Sequence, residues 1–493
     1  MESSAQKPGF VPDTSEARLL DLQALEIRGI NTYPTRVERT AVISEALSML
    51  DREVTVVGRI MSKRKHGKLM FFDLHDDSGD IQLFCSLNEV GKENFEILDR
   101  LDRGDFIQAQ GVVFDTKTMT RSVKVKKFKV LTKSLDPIPQ EFTDEGERRQ
   151  QTTKRLLVDV AAREILEKRS KIIWQIRSFM NQLNFLEMET PILQPNYGGA
   201  DAKPFLTRFE ALDAQFYLRI SDELYLKQLV AGGFERVFEI GKDFRNEGID
   251  ATHFPEFTMM EIYWAYANYE DMMKLTEDIY THTAVAVNGT TKITFNGNEI
   301  DLKGPWERLT MYDAIKKYLN IDVTQLNDDQ LAQKANELKV EITVSEGKIN
   351  RGLTIASIFD LVTPNLIQPV FITDFPAETS TLCKRKADNP DLIERFEPYI
   401  GGMEIGNAYT ELNDPRIQAK NFEDEMRAKK AAGQEIQSTD TAFLNAMRLG
   451  MPPMGGLGLG IDRMVMLLTG TSAIRDVLAF PASRSIKQQP KVI

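Results

Sequence analysis

The spacing of hydrophobic positions changes along the first part of the chain from a helical to a strand pattern. In SEARLLDLQALEIRG the leucines recur at helical spacing, and the pattern predicts a helix that begins at Ser15 and stops at Gly29. Between residues 54 and 134 five runs have strand composition, and turn residues separate them. These runs are VTVVGRI, KLMFFDLHD, DIQLFC, DFIQAQGVVF and SVKVKKFKVL. Five short strands predict a small closed barrel, and the OB-fold is the commonest barrel of that size.

A longer segment follows a break in this pattern. The stretch LDPIPQEFTDEGERRQQTT, residues 135–153, holds prolines and charges and few apolar residues, which predicts a linker. The next stretch, EILEKRSKIIWQIRSFMNQLNF, carries its apolar side chains on one helical face, and LEMETPIL ends it at Pro191. The residues of that face are Ile172, Ile173, Ile176, Phe179, Met180 and Leu183.

Strands and helices alternate from there to about residue 300, residues 309–366 have the pattern of short helices, and strands return at 367–374 and 402–412. We therefore predict an α+β protein in which a five-stranded barrel precedes a larger domain with an antiparallel sheet flanked by helices. The expected division is an N-terminal helical extension at 1–50, a barrel at 51–135, a linker at 136–153 and a large domain at 154–493, with a helical insertion at about 309–366.

The stretch FRNEGIDATHFPEF, residues 244–257, places charged residues between two segments that both look built for a core. If 234–247 and 257–267 are paired strands, residues two apart share a face. Arg245 and Glu247 then point the same way, as do Phe257, Glu261 and Tyr263. Such dense charge on a sheet face is either a solvated surface or a site, and the apolar flanks favour a site.

The C-terminal part repeats this combination. In GGMEIGNAYTELNDP, Asn407, Tyr409 and Glu411 share one strand face, whereas Glu404 joins them only if a bulge or turn lies near Gly406. GGLGLGIDRMVMLLTG leads through glycines to Arg463 at the start of an apolar helix. Glycines allow close backbone approach to a ligand, and arginine suits phosphate. Neither a P-loop nor a dinucleotide-binding fingerprint is present.

The composition of the chain excludes several classes of protein. The chain has 493 residues, 42% hydrophobic and 27% charged, with a net charge of -11, so the whole chain is not an evident nucleic-acid binder. Two distant cysteines and four dispersed histidines exclude a disulfide framework and a Cys/His zinc site. MESSAQKPGF lacks the apolar core of a signal peptide, and no run approaches the ~18 apolar residues of a membrane span. We expect a cytoplasmic protein.

Local charge contrasts with this acidic whole. Residues 59–68 hold five Lys or Arg and no acid, and residues 112–134 hold seven against one Asp, with phenylalanines interleaved. Cations that follow phosphates and rings that stack on bases are what single-stranded nucleic acid requires. The alternative is a solvated strand face over a phenylalanine core, which is the better interpretation of any single Phe. The barrel residues that we predict to contact nucleic acid are Arg59, Phe71, Gln82, Phe84, Lys124 and Lys126.

Together these motifs resemble a known family. FRNEG with its flanks resembles motif 2 of the class II aminoacyl-tRNA synthetases, GLGLGIDRMVMLLTG resembles motif 3, and the helix with FLEMETPIL resembles motif 1. GGADAKPF, the stretch from SDELYLKQL to IYWAYA, and MEIGNAYTELNDP are similar to the lysyl-tRNA synthetase family of subclass IIb, and the resemblance runs from about residue 50 to the C-terminus. It implies ATP-dependent activation of L-lysine to lysyl-adenylate, transfer of lysine to the 3′ end of tRNA(Lys), and a homodimer through motif 1.

The resemblance also implies residue roles for ATP and metal. Arg245 and Arg463 would be catalytic, with Arg245 holding the amino-acid carboxylate and the α-phosphate. Phe257 would stack on adenine with Arg463 on its other side. Glu247 would accept from the adenine amine, His253 would approach the γ-phosphate, and Gly460 would lie against the nucleotide. Glu397 and Glu404 would hold Mg²⁺, with more than one ion expected per site, because hard carboxylate oxygens suit that cation.

For the amino acid, the resemblance gives Glu223 and the Gly199 backbone to the α-amino group, with Asn407 beside Arg245 at the carboxylate. Glu261, Tyr263 and Glu411 would bind the ε-ammonium, and Tyr409 would line the same pocket. Three carboxylates in a closed site suit a diamine and disfavour an acidic or neutral substrate. The alternative is that these glutamates pair internally with Arg or Lys, and the recurrence of the pattern at three places argues against it.

The chain departs from the family in its barrel, where a glycine-glutamate pair is common and this sequence has Met119, Thr120 and Arg121. The manner of anticodon reading is therefore open. An asparaginyl or aspartyl enzyme, a ligase that charges a protein lysine, and a non-enzymatic RNA-binding paralogue are the alternatives. The acidic pocket, the barrel and the retained Arg245 and Arg463, respectively, argue against them.

Overall fold

A computed structural model describes residues 13–139, 141, 151–345, 348–431 and 440–482. The chain divides into two compact units, Met1–Asp144 and Glu145–Ile493, and each has its own hydrophobic core. Most of the predicted linker at 136–153 lies outside the described residues, as do residues 1–12 of the predicted extension.

The first unit opens with helix α1 (Ser15–Ile27). Its first turn is capped by Thr14, whose Oγ1 accepts a hydrogen bond from the Ala17 N–H at 3.2 Å. Gly29, at φ 74°, lies just beyond its end, so the predicted start and stop are confirmed. Three short helices follow among the described residues of this unit: α2 (Ile43–Ala46), α3 (Leu87–Val90) and α4 (Lys92–Leu98).

Five strands of the first unit close into a barrel in the order β1-β2-β3-β5-β4. They are β1 (Glu53–His66), β2 (Leu69–Asp76), β3 (Gly79–Ser86), β4 (Phe106–Asp115) and β5 (Arg121–Thr132). Along β2 burial alternates, so that Met70, Phe72 and Leu74 lie inside the barrel while Phe71 lies at its surface. The predicted five-stranded barrel is confirmed.

The second unit is mixed helix and strand. Its helices are α5 (Thr152–Val158), α6 (Val160–Gln182), α7 (Glu223–Ala231), α8 (Tyr269–Asn288), α9 (Met311–Leu319), α10 (Asp328–Leu338), α11 (Arg351–Phe359), α12 (Pro415–Ala431), α13 (Thr441–Gly450) and α14 (Ile461–Thr469). Its strands are β6 (Leu186–Glu187), β7 (Leu193–Gln194), β8 (Phe205–Phe209), β9 (Ala214–Leu218), β10 (Arg236–Phe244), β11 (Glu256–Ala265), β12 (Lys292–Phe295), β13 (Asn298–Asp301), β14 (Glu307–Thr310), β15 (Val344–Ser345), β16 (Lys348–Ile349), β17 (Val370–Pro376), β18 (Leu392–Ile400), β19 (Met403–Glu404), β20 (Gly406–Thr410) and β21 (Met454–Gly460).

One large sheet organises this unit, in the order β14-β17-β18-β20-β21-β11-β10-β6, with β19 beside β18. Its pairings are antiparallel except at the two ends, where β14 runs parallel to β17 and β6 to β10. On one face, Met260, Ile262, Leu457 and Leu459 pack into a core with helices α6, α8 and α14. The opposite face of the same strands carries the polar residues that the sequence singled out.

The helical face predicted in the first long helix is confirmed. Ile172, Ile176 and Met180 are buried in the core, and Ile173, Phe179 and Leu183 pack against it in partly buried positions. The helix begins at Val160, earlier than predicted, because the Asp159 carboxylate accepts from the Ala162 N–H and caps it there.

One strand was missed. Residues 392–400, for which the sequence predicted no strand, form β18, in which Glu394, Arg395 and Glu397 interrupt the apolar residues. The stretch predicted as a helical insertion contains helices α9 to α11, but its first residues belong to β14, which joins the large sheet. Among the described residues, no helix combines the length and apolarity needed to cross a membrane.

Candidate active site

A cavity of about 1280 Å³ is lined by most of the residues that the sequence placed in a site. Those on its wall are Gly199, Glu223, Arg245, Glu247, His253, Phe257, Glu261, Tyr263, Glu404, Asn407, Tyr409, Glu411, Gly460 and Arg463. Glu397 does not line it and is buried in β18. One cavity therefore gathers residues that are more than 200 positions apart in the chain.

The hairpin of β10 and β11 forms part of this wall. Asp243 pairs with Phe257 and Glu239 with Glu261, so alternate residues of β11 face the cavity as predicted. Arg245 and Glu247, however, lie beyond the end of β10 and not within a strand. The strand ends there because the Asn246 N–H donates to the Lys203 carbonyl at 2.7 Å and the chain turns away from β11.

The glycines of β21 make room for acidic side chains of neighbouring strands. A Cβ on Gly456 would overlap Glu411 Oε1 and would lie 2.7 Å from Tyr263 Cε1, and a Cβ on Gly458 would lie 2.5 Å from Glu261 Oε1. The sequence predicted that these glycines let a ligand approach the backbone. In the structure they admit two carboxylates to the sheet face.

One end of the cavity is acidic and nearly closed to solvent. Glu223, Glu261 and Glu411 are buried beside Tyr263, whose hydroxyl donates to Glu261 Oε2 at 3.1 Å. Burial, then the charges of Asp222, Glu223 and Asp243, holds the pKa of Glu261 well above its ordinary value. For Glu411, burial outweighs a neighbouring cation and raises the pKa to about 8.

That neighbouring cation corrects the sequence interpretation. Lys227, one turn along α7 from Glu223, places its ammonium 2.5 Å from Glu223 Oε1 and forms an ion pair with Glu411 Oε2. The prediction that internal pairing of these glutamates is absent was therefore wrong for two of the three carboxylates. Lys227 lay among the apolar residues of SDELYLKQLV, where its position i+4 from Glu223 was the available signal.

Asn407 and Tyr409 are held in place by an arginine that sequence reasoning missed. Arg395 Nε donates to Asn407 Oδ1 at 3.0 Å, and Asn407 Nδ2 donates to the Tyr409 hydroxyl at 3.0 Å. The side-chain amide is thereby fixed in one orientation. Arg395 lies on β18, opposite Tyr409, and has the same strand parity as Glu397.

Glu397 and Glu404 lie on adjacent short stretches of sheet. Tyr399 pairs with Glu404 across β18 and β19, and the Ile405 N–H donates to the Pro398 carbonyl, so the chain breaks register before β20 as the sequence predicted for Glu404 to reach the site. The Glu397 carboxylate accepts from Arg395 at 2.5 Å and from the Tyr399 hydroxyl at 2.7 Å. Burial raises the pKa of Glu397 to about 7, against the opposing effect of Arg395.

A chain of hydrogen bonds links the start of α14 to the loop after β10. Arg463 Nη2 donates to His253 Nε2 at 2.9 Å, and His253 Nδ1 lies 2.8 Å from Asp250 Oδ2. Arg463 Nη1 also donates to the Glu404 carbonyl. Although slight burial acts to raise it, the bonds from Thr252 and His253 lower the pKa of Asp250 to about 2.

Phe257 already carries a cation on its ring. The Arg245 guanidinium lies 5.0 Å from the ring centroid, a cation–π contact, and its Nε reaches the Ile220 carbonyl at 3.5 Å. The sequence predicted Arg463, not Arg245, beside this ring with adenine between them. The two arginines therefore contact different residues: Arg245 lies over the Phe257 ring, and Arg463 donates a hydrogen bond to His253.

The start of α14 is anchored to α6 and β11. The side chain of Arg169 on α6 lies 2.6 Å from Asp462 Oδ1 and donates to Thr258 Oγ1 at 3.0 Å, while the Thr258 N–H donates to Asp462 Oδ2 at 2.8 Å. These residues join α6, β11 and the first turn of α14, in which Arg463 lies. Sequence reasoning assigned no role to Arg169 or Asp462, because a charged residue inside a helical pattern is usually part of its solvated face.

The barrel places its predicted nucleic-acid residues as follows. Phe71 and Phe84 meet edge to face at 5.5 Å, and Phe84 meets Phe114 at the same distance. The Arg59 guanidinium lies 4.3 Å from the Phe106 ring, and Gln82 Oε1 accepts from the Ser122 hydroxyl at 3.1 Å.

The cations of the barrel are less free than the sequence implied. Lys124 pairs with Glu89 at 2.5 Å and Lys126 with Glu53 at 3.6 Å, so acidic neighbours distant in sequence neutralise part of the basic run. Met119 stands 79% exposed at φ 60° in the turn before β5, where a glycine would be less strained.

Among the described residues, no group of three or more His, Cys, Asp or Glu side chains is placed to hold a metal ion. The candidate donors are the carboxylates of Glu397 and Glu404: Glu404 lines the cavity, whereas the oxygens of Glu397 accept hydrogen bonds from Arg395 and Tyr399. Two carboxylates are enough for a cation that takes its other oxygens from phosphates and water, as Mg²⁺ does in nucleotide sites.

Comparison with known proteins agrees with this geometry. The family model described as "tRNA synthetases class II (D, K and N)" matches residues 144–484, and the model described as "OB-fold nucleic acid binding domain" matches residues 54–131. Curated proteins named lysine--tRNA ligase are similar over nearly the whole chain. That of Roseiflexus sp. is 46% identical over 96% of this chain and 99% of its own, that of Chloroflexus aurantiacus is 45% identical over 96% and 98%, and that of Clostridium novyi is 43% identical over 95% and 94%.

Proposed function

The chain belongs to the class II tRNA synthetases of the D, K and N group, and from this premise we propose that it is a lysine-tRNA ligase. It activates L-lysine with ATP to lysyl-adenylate, releases pyrophosphate, and transfers lysine to the 3′ end of tRNA(Lys) in translation. The observation that carries the choice of amino acid is the buried acidic end of the cavity. There Glu261 faces the cavity with a tyrosine hydroxyl as its hydrogen-bond donor.

The acidic end distinguishes a diamine from the other amino acids that this group of enzymes uses. An aspartate side chain would meet like charge at Glu261 and Glu411. An asparagine side chain would leave Glu261 without a cation, since Lys227 pairs only with Glu223 and Glu411 among the described residues. The ε-ammonium of lysine supplies the missing charge. Glu261, Tyr263, Tyr409 and Glu411 surround the ε-ammonium in this proposal.

The α-amino group is bound by Glu223 and by the backbone of Gly199. Gly199 has φ 85°, and a Cβ there would lie 3.0 Å from the Ser221 hydroxyl, so only glycine brings this backbone so close to α7. The lysine carboxylate lies between Arg245 and Asn407. The amide of Asn407, which Arg395 orients, is in this way preset for its role.

The nucleotide occupies the other part of the cavity. Adenine stacks on Phe257 with Arg463 on its far face, Glu247 accepts from the adenine amine, Gly460 lies against the nucleotide, and His253 reaches the γ-phosphate. Stacking of adenine displaces the Arg245 guanidinium from the Phe257 ring towards the α-phosphate. The contact between Arg245 and Phe257 supports this, because the ring face already attracts a planar cationic group.

Chemistry at the α-phosphate needs position and charge and no general base. The lysine carboxylate is already ionised when it attacks, so Arg245 and Arg463 act as catalytic residues by orienting the reactants and neutralising the charge that develops as the bond to pyrophosphate breaks. Glu397 and Glu404 would hold Mg²⁺, with more than one ion per site, and a cation bound there would supply positive charge to the phosphates and to the leaving pyrophosphate.

The barrel binds the anticodon of tRNA. The cluster of Phe71 and Phe84 at its surface supports base stacking, with Arg59, Gln82, Lys124 and Lys126 beside it. Where the family commonly has a glycine-glutamate pair, this chain has Met119, Thr120 and Arg121, so it reads the anticodon without that glutamate. The division into an extension at 1–50, a barrel at 51–135, a linker at 136–153 and a catalytic domain at 154–493 completes the proposal.

Two copies of the chain associate through motif 1. Large apolar side chains stand exposed there, with Trp174 67% exposed on α6 and Leu186, Ile192 and Leu193 about half exposed just after it. An apolar patch of this kind, on a helix whose other face is in the core, is typical of an oligomer interface. We place the enzyme in the cytoplasm, where translation takes place.

Aminoacylation of tRNA(Lys) tests the proposal. With ATP, Mg²⁺ and radiolabelled lysine, the enzyme should attach lysine to intact tRNA(Lys) and not to tRNA whose 3′ ribose has been oxidised with periodate. Attachment to tRNA(Asp) or tRNA(Asn) with their own amino acids, and none with lysine, would contradict it.

A further inference from the structure

Lys227 is a fully buried cation that does not line the cavity but contacts two carboxylates of the proposed lysine pocket. Its side chain is 1% exposed, and those of its two partners, Glu223 and Glu411, are 5% and 0% exposed. One ammonium therefore contacts a carboxylate from α7 and a carboxylate that follows β20. The two carboxylates belong to elements that are far apart in the sequence.

The surroundings of Lys227 stabilise this link. Its ammonium lies 5.7 Å from the Tyr263 ring and 6.0 Å from the Phe443 ring, which exclude water and add cation–π attraction. Burial acts to lower the pKa of Lys227, but the charges of Glu223 and Glu411 outweigh it and raise the pKa above its ordinary value. The other titratable groups facing this cluster are Asp222, Glu261, Cys383 and Tyr409.

A single cation does not satisfy all of these carboxylates. Glu411 Oε1 has no hydrogen-bond donor among the described residues, and Glu261 receives only the Tyr263 hydroxyl from that part of the chain. A buried carboxylate oxygen without a donor calls for a further cation. Lys227 therefore neutralises part of the cluster and leaves room for one more ammonium from a ligand.

We propose that Lys227 is a positioning residue that ties Glu223 to Glu411 and thereby sets the distance between the α-amino and ε-ammonium subsites of the amino-acid pocket. This inference rests on the proposed function, in which Glu223 binds the α-amino group and Glu411 the ε-ammonium. Because both carboxylates are held by one atom, their spacing is fixed before the substrate arrives. A fixed spacing selects the length of the diamine, so that lysine is preferred to ornithine, which is shorter by one methylene.

Removal of Lys227 changes both charge and geometry. Two buried carboxylates this close cannot both stay ionised without a cation between them, so they share a proton. A shared proton must be displaced when an ammonium binds, and the carboxylates are no longer held at one separation. Lysine binding should weaken while the nucleotide part of the cavity, which Lys227 does not contact, should keep its affinity for ATP.

The experiment is amino-acid-dependent ATP–pyrophosphate exchange by the full chain, with KM and kcat measured for lysine, ornithine and ATP. In Lys227→Met we expect the KM for lysine to rise by about tenfold or more, which corresponds to about 1.4 kcal/mol of binding free energy, and the preference for lysine over ornithine to fall. The KM for ATP should stay within about twofold of that of the unchanged enzyme. This measurement distinguishes a specific effect on the lysine pocket from a general loss of structure, which would change the KM of both substrates.

Lys133→Met is the matched control. Lys133 is also a buried lysine, 0% exposed, held by the two carboxylates of Asp102 and Asp105, but it lies in the barrel. Lys133→Met should lower the melting temperature, as any loss of a buried ion pair does, but it should leave the KM for lysine and the preference for lysine over ornithine unchanged. Equal changes in lysine KM in both variants would overturn the inference, and so would an unchanged preference in Lys227→Met.

A second comparison holds even if Lys227→Met does not fold. The double variant Lys227→Met/Glu411→Gln has one buried carboxylate fewer, and Glu411→Gln alone already breaks the link. The inference predicts a lysine KM within about threefold for these two variants, because coupled residues are not additive. A further tenfold rise in the double variant would contradict it. Absence of lysine-dependent exchange in the unchanged enzyme would instead contradict the proposed function.

Discussion

Gly456 on β21 leaves space for the side chain of Glu411, the residue that follows β20: a Cβ on the glycine would overlap the carboxylate oxygen Oε1 of the glutamate. The acidic pocket therefore depends on a residue without a side chain. In Gly456→Ala, Glu411 must move or the strand must shift, since a packed interior absorbs little overlap. We expect the lysine kcat/KM in pyrophosphate exchange to fall by about tenfold or more while the KM for ATP changes little.

The neighbouring glycine provides the control for that prediction. A Cβ on Gly455, on the opposite face of the same strand, would lie 2.9 Å from the Asn268 carbonyl and the Met272 side chain in the core. Gly455→Ala should lower the melting temperature without a selective change in lysine KM. If both variants changed lysine KM alike, the space above Gly456 would not be the reason.

Loss of one carboxylate tests the amino-acid pocket itself. Glu411→Gln keeps the size of the side chain and removes its charge, so the lysine KM should rise by about 10- to 100-fold, the range for a buried hydrogen bond to a charged group. The KM for ATP should hold. An unchanged lysine response would rule out Glu411 as a contact of the ε-ammonium.

The bond from Asp250 to His253 predicts an effect on ATP alone. Because His253 accepts a hydrogen bond from Arg463 through Nε2, its proton belongs on Nδ1, facing Asp250. Asp250→Asn weakens the preference for that tautomer and should raise the KM for ATP by about two- to fivefold, the modest effect expected of an exposed pair. The lysine KM should not change.

A similar pair in the barrel serves as the reference. His75 Nδ1 lies 2.8 Å from Asp80 Oδ1, and neither residue lines the cavity. Asp80→Asn should leave exchange kinetics as they are. An equally large rise in the KM for ATP in Asp80→Asn would contradict the role of the Asp250–His253 pair in ATP binding.

The pKa of Asp250, about 2, also predicts a pH dependence of stability. Because this folded pKa lies below the unfolded value, the ionised Asp250 stabilises the folded protein above about pH 4, and that stabilisation is lost as the pH falls through 2.

Neutralising the barrel should separate tRNA binding from activation. Replacing Lys124, Lys126 and Lys127 by Met should weaken tRNA binding and reduce its salt dependence, by about one unit of slope for each phosphate that these lysines neutralise. Lys127 should dominate, because Lys124 and Lys126 already have carboxylate partners. Exchange without tRNA should be unaffected, and a joint loss of both activities would mean that the barrel is not the tRNA-binding domain.

Neither cysteine should react with thiol reagents in the folded protein. Burial raises the pKa of Cys85 to about 12 and holds that of Cys383 well above its ordinary value, so neither is a thiolate at about pH 8. A disulfide reagent such as Ellman's should titrate two thiols after denaturation and none in the native state. Rapid reaction of Cys383 would show that the cavity wall is open at that residue.

The sequence predicted more of the fold than of the contacts. The barrel followed from five runs with period two, and the core face of α6 from apolar spacing, because both signals are local. Strand β18 escaped prediction because its charged residues interrupt the apolar pattern. Motif order and spacing identified the family correctly, since three motifs in sequence rarely coincide by chance.

Residues that act across the structure left almost no local signal. Lys227, Arg395 and Arg169 each lie in an ordinary helix or strand and gain their meaning from a partner many positions away. The same reason explains the error about the glutamates. Their number and position indicated an acidic pocket, but only the fold shows that Lys227 lies between Glu223 and Glu411.

Lysine-dependent activation is tested most directly by ATP–pyrophosphate exchange with Mg²⁺, without tRNA, measured with each of the twenty amino acids in turn. The acidic end of the cavity predicts exchange with lysine and with no other amino acid at comparable concentration. Exchange with aspartate or asparagine in place of lysine would contradict this account of the pocket, and exchange with none would contradict the activity itself.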